Sequence, residues 1–172
     1  MTATSQPGIV LFLGMVRRGE FENLQKHGLR LGILVDTNSK TRLGDVSQFV
    51  VVERFDFSRP LPELIAAVRD IQKRFGIACL YNVIEFYVAQ TAEVAIALGL
   101  PGISPASASL CLDKNIMRQR FHDCIGPEAV AKFHVVDSES ALLKFADALG
   151  YPCFLQPANV SASMWATRNT GP

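Results

Sequence analysis

The sequence predicts an α/β protein with a parallel sheet covered by helices on both faces. Three features of the 172-residue chain point that way. Short continuous apolar runs such as 9–13 (IVLFL) and 77–81 (IACLY) have the pattern of strands buried on both sides. Between the runs lie segments with helical spacing of apolar residues. Gly14, Gly28 and Gly99 punctuate the changes of period. Strands that alternate with helices require right-handed crossovers, which place helices on both faces of a parallel sheet.

Taken in order, residues 9–13 form a strand that ends at Gly14. A polar helix follows over 17–27, with Phe21 and Leu24 one turn apart and Gly28 as its stop. Residues 29–35 (LRLGILV) are a second strand, closed by Asp36, Thr37 and Asn38, and residues 49–52 (FVVV) a third. Leu61, Leu64, Ile65, Val68, Ile71 and Phe75 then trace one helical stripe, with Pro62 tolerated in the first turn. Residues 77–81 are the fourth strand, and the alanine-rich stretch 85–98 is a good helix former capped by Gly99.

After Leu100 the character changes. Pro101, Gly102, Ser104 and Pro105 break the pattern, with Ser104 as N-cap and Pro105 in the first turn of a helix through 108–112. A second helix is predicted over 113–123, a short strand over 133–136 (FHVV), and a helix over 138–149 that Gly150 and Pro152 terminate. Residues 153–155 form a last strand and lead into a loop of small residues, Ala158, Asn159, Ser161, Ala162 and Ser163. There is no internal repeat and no low-complexity tract.

Composition narrows the function. Apolar residues make up 49% and charged residues 19%, enough for a substantial core. Lysine and arginine number 17 against 16 acids, so the formal charge of +1 provides no footprint for nucleic acid or an anionic membrane. No apolar run reaches the ~20 residues needed to span a bilayer. The start, MTATSQPG, lacks the basic and apolar regions of a signal peptide, so a cytoplasmic protein is expected. Cys79, Cys111, Cys124 and Cys153 contain no C-x-x-C pair and are expected to be free thiols.

Familiar site motifs are missing. GMVRRG, after the first strand, has glycines at 14 and 19 only and lacks the dinucleotide fingerprint. There is no Walker lysine motif, no G-x-S-x-G elbow and no H-E-x-x-H. His27, His122 and His134 are scattered, as solvated or structural histidines are. Parallel sheets bind ligands beyond the carboxyl ends of their strands, here 14–19, 36–40 and 82–85. Arg17 and Arg18 stand on that side, able to meet an anionic group.

One composite pattern is informative. LGLPGISP at 98–105 is followed by small residues, by Asp113-Lys114 opening a helix, by 133–136, by a helix ending in LGYP, and by an apolar strand with a Ser/Ala-rich loop. Residues 85–163 resemble the junction between the pre-ATP-grasp and ATP-grasp domains of ATP-grasp ligases. The nearest branch is that of biotin carboxylase, carbamoyl phosphate synthase and the L-amino-acid ligases. The resemblance implies a Rossmann-like pre-ATP-grasp domain over 1–100 and the opening part of an ATP-grasp domain over 101–172.

It also implies roles. Lys114, as the lysine of the D-K pair, reaches the nucleotide phosphates, as a flexible point charge at a helix start can. Gln156 occupies the place of a second lysine and brings hydrogen bonds without charge. Asn159, Ser161 and Ser163 lie in the place of the flexible phosphate-covering loop, although no glycine is present there. Gly14, Arg17 and Glu85 are substrate-side candidates, and a carboxylate at Glu85 also suits a helix start without any ligand.

The parent activity implied is ATP-dependent ligation with ATP and magnesium. A small-molecule carboxylate forms an acyl phosphate, which an amine or similar nucleophile captures. The family's magnesium ligands would fall beyond Pro172, so the expectation is an N-terminal fragment without turnover of its own and with no metal site, in a family that commonly forms dimers. Two alternatives stand beside it. One is a non-catalytic small-ligand or interaction module; the other is a nucleotide-cofactor oxidoreductase, which the absent glycine fingerprint disfavours.

Overall fold

The computed structural model describes residues 7–15, 18–39, 46–82, 84–158 and 166–170. The described chain forms two compact units, 1–108 and 109–172.

The first unit is a four-stranded, all-parallel sheet in the order β3-β2-β1-β4, with β1 at Ile9–Gly14, β2 at Leu31–Asp36, β3 at Val51–Phe55 and β4 at Ile77–Tyr81. The central strands are buried throughout and carry apolar side chains except for Asp36 at the end of β2, because both faces are covered. Alternation divides β1 between two cores. Ile9, Leu11 and Leu13 pack with Leu64, Val68 and Ile71 of α2 (Leu61–Phe75) and with Val94 and Ala95 of α3 (Val88–Leu98). Val10 and Phe12 pack on the opposite face with Phe21 of α1 (Arg18–Lys26), Ile33 and Phe49. The doubly covered parallel sheet read from the sequence is therefore present.

Several boundaries in this unit differ from expectation, among them the second strand, which runs over Leu31–Asp36 rather than 29–35. The third strand runs over Val51–Phe55, later than 49–52, and includes Glu53 and Arg54. It lies at the sheet edge, where a charged pair is tolerated, and Glu53 is ion-paired with Arg74 of α2. The segment expected as one helix from residue 85 begins instead as a 3₁₀ turn, Glu85–Tyr87. Here Asn82 Oδ1 accepts from the Ile84 N–H at 2.9 Å, and its Nδ2 donates to the Leu13 carbonyl at 3.3 Å. This turn carries Tyr87 into the core, where it is 7% exposed.

In α4 (Pro105–Leu112), Ser104 Oγ accepts from the Ser107 N–H at 3.0 Å, the capping role its sequence position predicts. The second unit contains α5 (Lys114–Ile125), α6 (Glu139–Leu149) and a two-stranded antiparallel ribbon of β5 (Cys153–Leu155) and β6 (Thr167–Asn169). Ser138 caps α6 by accepting from the Ala141 N–H. β6 was not expected, since Thr-Arg-Asn has no apolar pattern to announce a strand.

The run 133–136 is not a strand. Its side chains hold it against helices rather than its backbone against a ladder. The Arg118 guanidinium lies 5.8 Å from the Phe133 ring centroid, and His134 stacks on Phe145 at 4.2 Å with the rings 12° apart. All four cysteines are free.

Candidate functional site

In the second unit the helix start and the end of β5 meet. Asp113 is the N-cap of α5, its Oδ1 accepting from the Asn115 N–H at 2.8 Å and the Ile116 N–H at 3.0 Å. These are two of the four donors that the first turn of a helix leaves without an intrahelical partner. A third, the Lys114 N–H, donates to the Ala158 carbonyl at 2.9 Å. Residues distant in sequence are thus tied together at one place, with Gln156 and Ala158 beside the first turn of α5.

A cavity of about 980 Å³ opens there, lined by residues of α5, 131–136, α6, β5, 156–158 and β6. This is at the upper end of the ~300–1,000 Å³ usual for small-molecule sites. Its apolar wall includes Phe133, Leu142, Phe145 and Leu155. Its charged lining has one sign: Lys114, Arg118, Lys132 and Arg168 contribute, and no aspartate or glutamate is among the described lining residues. On a chain of nearly balanced charge, four cations around one concavity mark a site for an anion with an apolar portion.

Of the sequence-predicted residues, Lys114 and Gln156 line this cavity together. Asn159, Ser161 and Ser163 lie outside the described residues, as does Arg17. Gly14 and Glu85 belong to the first unit. Glu85 is exposed at the start of the 3₁₀ turn. Gly14, at φ +86°, is the point of closest approach to Tyr87, since a Cβ there would lie 2.4 Å from the ring.

Sequence reasoning did not place Arg118, Lys132 or Arg168 in the site. For Arg118 a signal existed, because it stands one helical turn after Lys114 and shares its face. For Lys132 and Arg168 only the tertiary fold supplies the connection. Also missed was the pair at the carboxyl edge of the first sheet. There the Tyr87 hydroxyl donates to Asp36 Oδ2 at 2.8 Å, and the Asn38 N–H donates to Asp36 Oδ1 at 3.0 Å. Burial, together with the Asp36 carboxyl, pushes the Tyr87 hydroxyl well above its usual range.

The cavity fits the phosphates of a nucleotide through its cations and fits a ring through its apolar wall. Its described lining holds no carboxylate, the ligand that a hard cation such as magnesium prefers. No cluster of three or more His, Cys, Asp or Glu that could hold a metal occurs among the described residues.

No family model matches the sequence, and no curated protein matches it. Solved structures do match in fold. The L-amino acid ligase from Bacillus licheniformis superposes with a TM-score of 0.73 at 18% identity, over 98% of this chain and 40% of that one. N5-carboxyaminoimidazole ribonucleotide synthetase from Thermotoga maritima gives 0.66 at 16% identity, over 96% and 42%. The biotin carboxylase domain of the Hydrogenobacter thermophilus 2-oxoglutarate carboxylase, solved with MgADP, gives 0.63 at 14%, over 96% and 38%. The chain therefore spans about two fifths of the length of these structures, and at these identities the likeness is one of fold.

Proposed function

We propose that this chain, whose fold is that of the N-terminal part of ATP-grasp ligases, supplies the opening part of a nucleotide site in an ATP-dependent ligase. Residues 1–100 act as the pre-ATP-grasp domain and 101–172 as the start of the ATP-grasp domain. The observation that carries the reading is the meeting of Lys114 and Gln156 at a cavity whose charged lining residues are all basic.

Each residue has a physical task. The Lys114 ammonium neutralises phosphate charge, while its N–H holds the Ala158 carbonyl; Asn159, Ser161 and Ser163 follow in sequence as further nucleotide contacts. Gln156 hydrogen-bonds a phosphate oxygen or a base. Phe133, Phe145 and Leu155 cover the nucleotide's apolar portion. Gly14, Arg17 and Glu85 serve the carboxylate substrate or the capturing nucleophile at the strand ends of the first unit.

In a complete ligase a carboxylate oxygen would attack the γ-phosphate of ATP, releasing ADP and giving an acyl phosphate that an amine would capture with release of phosphate. The described residues of this chain contribute binding and orientation to that chemistry. The setting proposed is cytoplasmic, with a homodimer as the assembly; no helix among the described residues is long and apolar enough to cross a membrane.

Isothermal titration of the 172-residue chain with Mg-ATP tests the reading. Saturable binding that weakens with added salt and falls at least about tenfold in Lys114→Ala is expected. Absence of binding up to millimolar nucleotide overturns it and leaves the non-catalytic module.

A further inference from the structure

The cavity's cations differ in what already engages them. Arg118 is drawn over the Phe133 ring at 5.8 Å. Arg168, on β6, has no carboxylate or ring partner among the described residues, whereas Arg59 pairs with Glu63, Arg74 with Glu53 and Asp70, and His122 with Asp123. It lines the cavity with no described group to offset its guanidinium charge.

The ribbon register locates this charge. Phe154 pairs with Arg168, and Leu155 with Thr167. Directly opposed residues of an antiparallel pair project to the same face, and successive residues alternate. Continued one step past β5, the alternation puts Gln156 on the face of Phe154 and Arg168. Gln156 and Arg168 then stand in the diagonal relation, with about 7–8 Å between them, which long side chains bridge. Both line the cavity, and Gln156 carries no charge. A planar guanidinium presents paired donors that match two oxygens of one phosphate group.

We infer that Arg168 is a phosphate ligand, supplying from β6 the positive charge that Gln156 does not supply at the end of β5. The inference rests on the nucleotide reading of this cavity and adds to it a residue and the part of the ligand that residue holds: the phosphate chain rather than the nucleoside.

The test titrates the 172-residue chain and its variants with Mg-ATP and with adenosine, while circular dichroism and the thermal midpoint follow folding. Arg168→Gln is expected to weaken Mg-ATP binding by about tenfold or more and to leave adenosine binding unchanged. Arg168→Lys should retain most of the affinity. The double variant Gln156→Lys with Arg168→Gln should recover it, because the charge returns along the same diagonal. If the wild type binds Mg-ATP and Arg168→Gln binds it within about twofold, the inference is overturned while the nucleotide reading stands. If Arg168→Gln loses its fold, Arg168→Lys and the double variant decide, and failure of both to bind overturns it. Failure of the wild type to bind Mg-ATP overturns both.

Discussion

Tyr87 joins the turn after β4 to the last residue of β2 by donating its hydroxyl hydrogen to Asp36 Oδ2 across 2.8 Å. Asp36 is buried in the core at 8% exposure, and the Asn38 N–H satisfies its other oxygen. Tyr87 is also packed edge-on against Phe57, with ring centroids 5.0 Å apart. The pair therefore ties together two strand ends at the edge of the sheet where a parallel α/β fold places its ligands.

Tyr87→Phe keeps the ring and removes the donor, leaving a buried carboxyl oxygen without its partner. A loss of about 1–3 kcal/mol in unfolding free energy is expected by denaturant titration. The slope with denaturant should stay the same, since the buried area is nearly unchanged.

The same pair predicts a pH dependence. The Tyr87 hydroxyl is held above its ordinary value by burial first and by Asp36 second. The unfolded chain therefore releases this proton near pH 10 while the folded chain keeps it. The stability it contributes is complete below about pH 10 and is lost as pH rises from there through the folded-state value. The stability gap between wild type and Tyr87→Phe should be widest near neutrality and should narrow in alkaline buffer. A gap that widens above about pH 10 contradicts this.

Gly14→Ala should be more damaging than an ordinary strand substitution. The backbone there has φ +86°, and the new Cβ would meet the Tyr87 ring at 2.4–2.5 Å. Strain of about 1–3 kcal/mol adds to the clash. Tyr87 must move away from Asp36, so Tyr87→Phe should cost less in the Gly14→Ala background than in wild type. Equal cost in both backgrounds by denaturant unfolding argues against the coupling.

Much of the first unit was legible in the sequence. Buried strands and the α2 stripe follow from period alone, because Ile9, Leu34, Leu64 and Val68 are apolar for the reason that they are buried. β3 was displaced because an edge strand carries Glu53 and Arg54, which erase the apolar run. The run at 133–136 misled because Phe133 and His134 are apolar or aromatic for contacts with α5 and α6, not for a ladder. Near the candidate site, the place of Lys114 at a helix start was legible, because Asp113 caps that helix. Arg168 was not, since its place opposite Phe154 exists only once the ribbon has formed.

The cap itself is testable. Asp113→Ala removes the acceptor for the Asn115 and Ile116 N–H groups and should cost α5 about 1 kcal/mol, read as faster amide exchange in its first turn. Asp113→Ser, another good cap, should restore protection. If Asp113→Ala leaves those amides as protected as in wild type, the cap does not hold the helix start.

The most direct measurement of the central claim is a two-dimensional ¹H–¹⁵N titration of the labelled chain with Mg-ATP. The account predicts progressive shifts at the amides of Lys114, Asn115, Gln156, Ala158 and Arg168, with the β1 and β2 amides unmoved. Shifts confined to the strand ends near Gly14 and Asp36, or none at millimolar nucleotide, would contradict it.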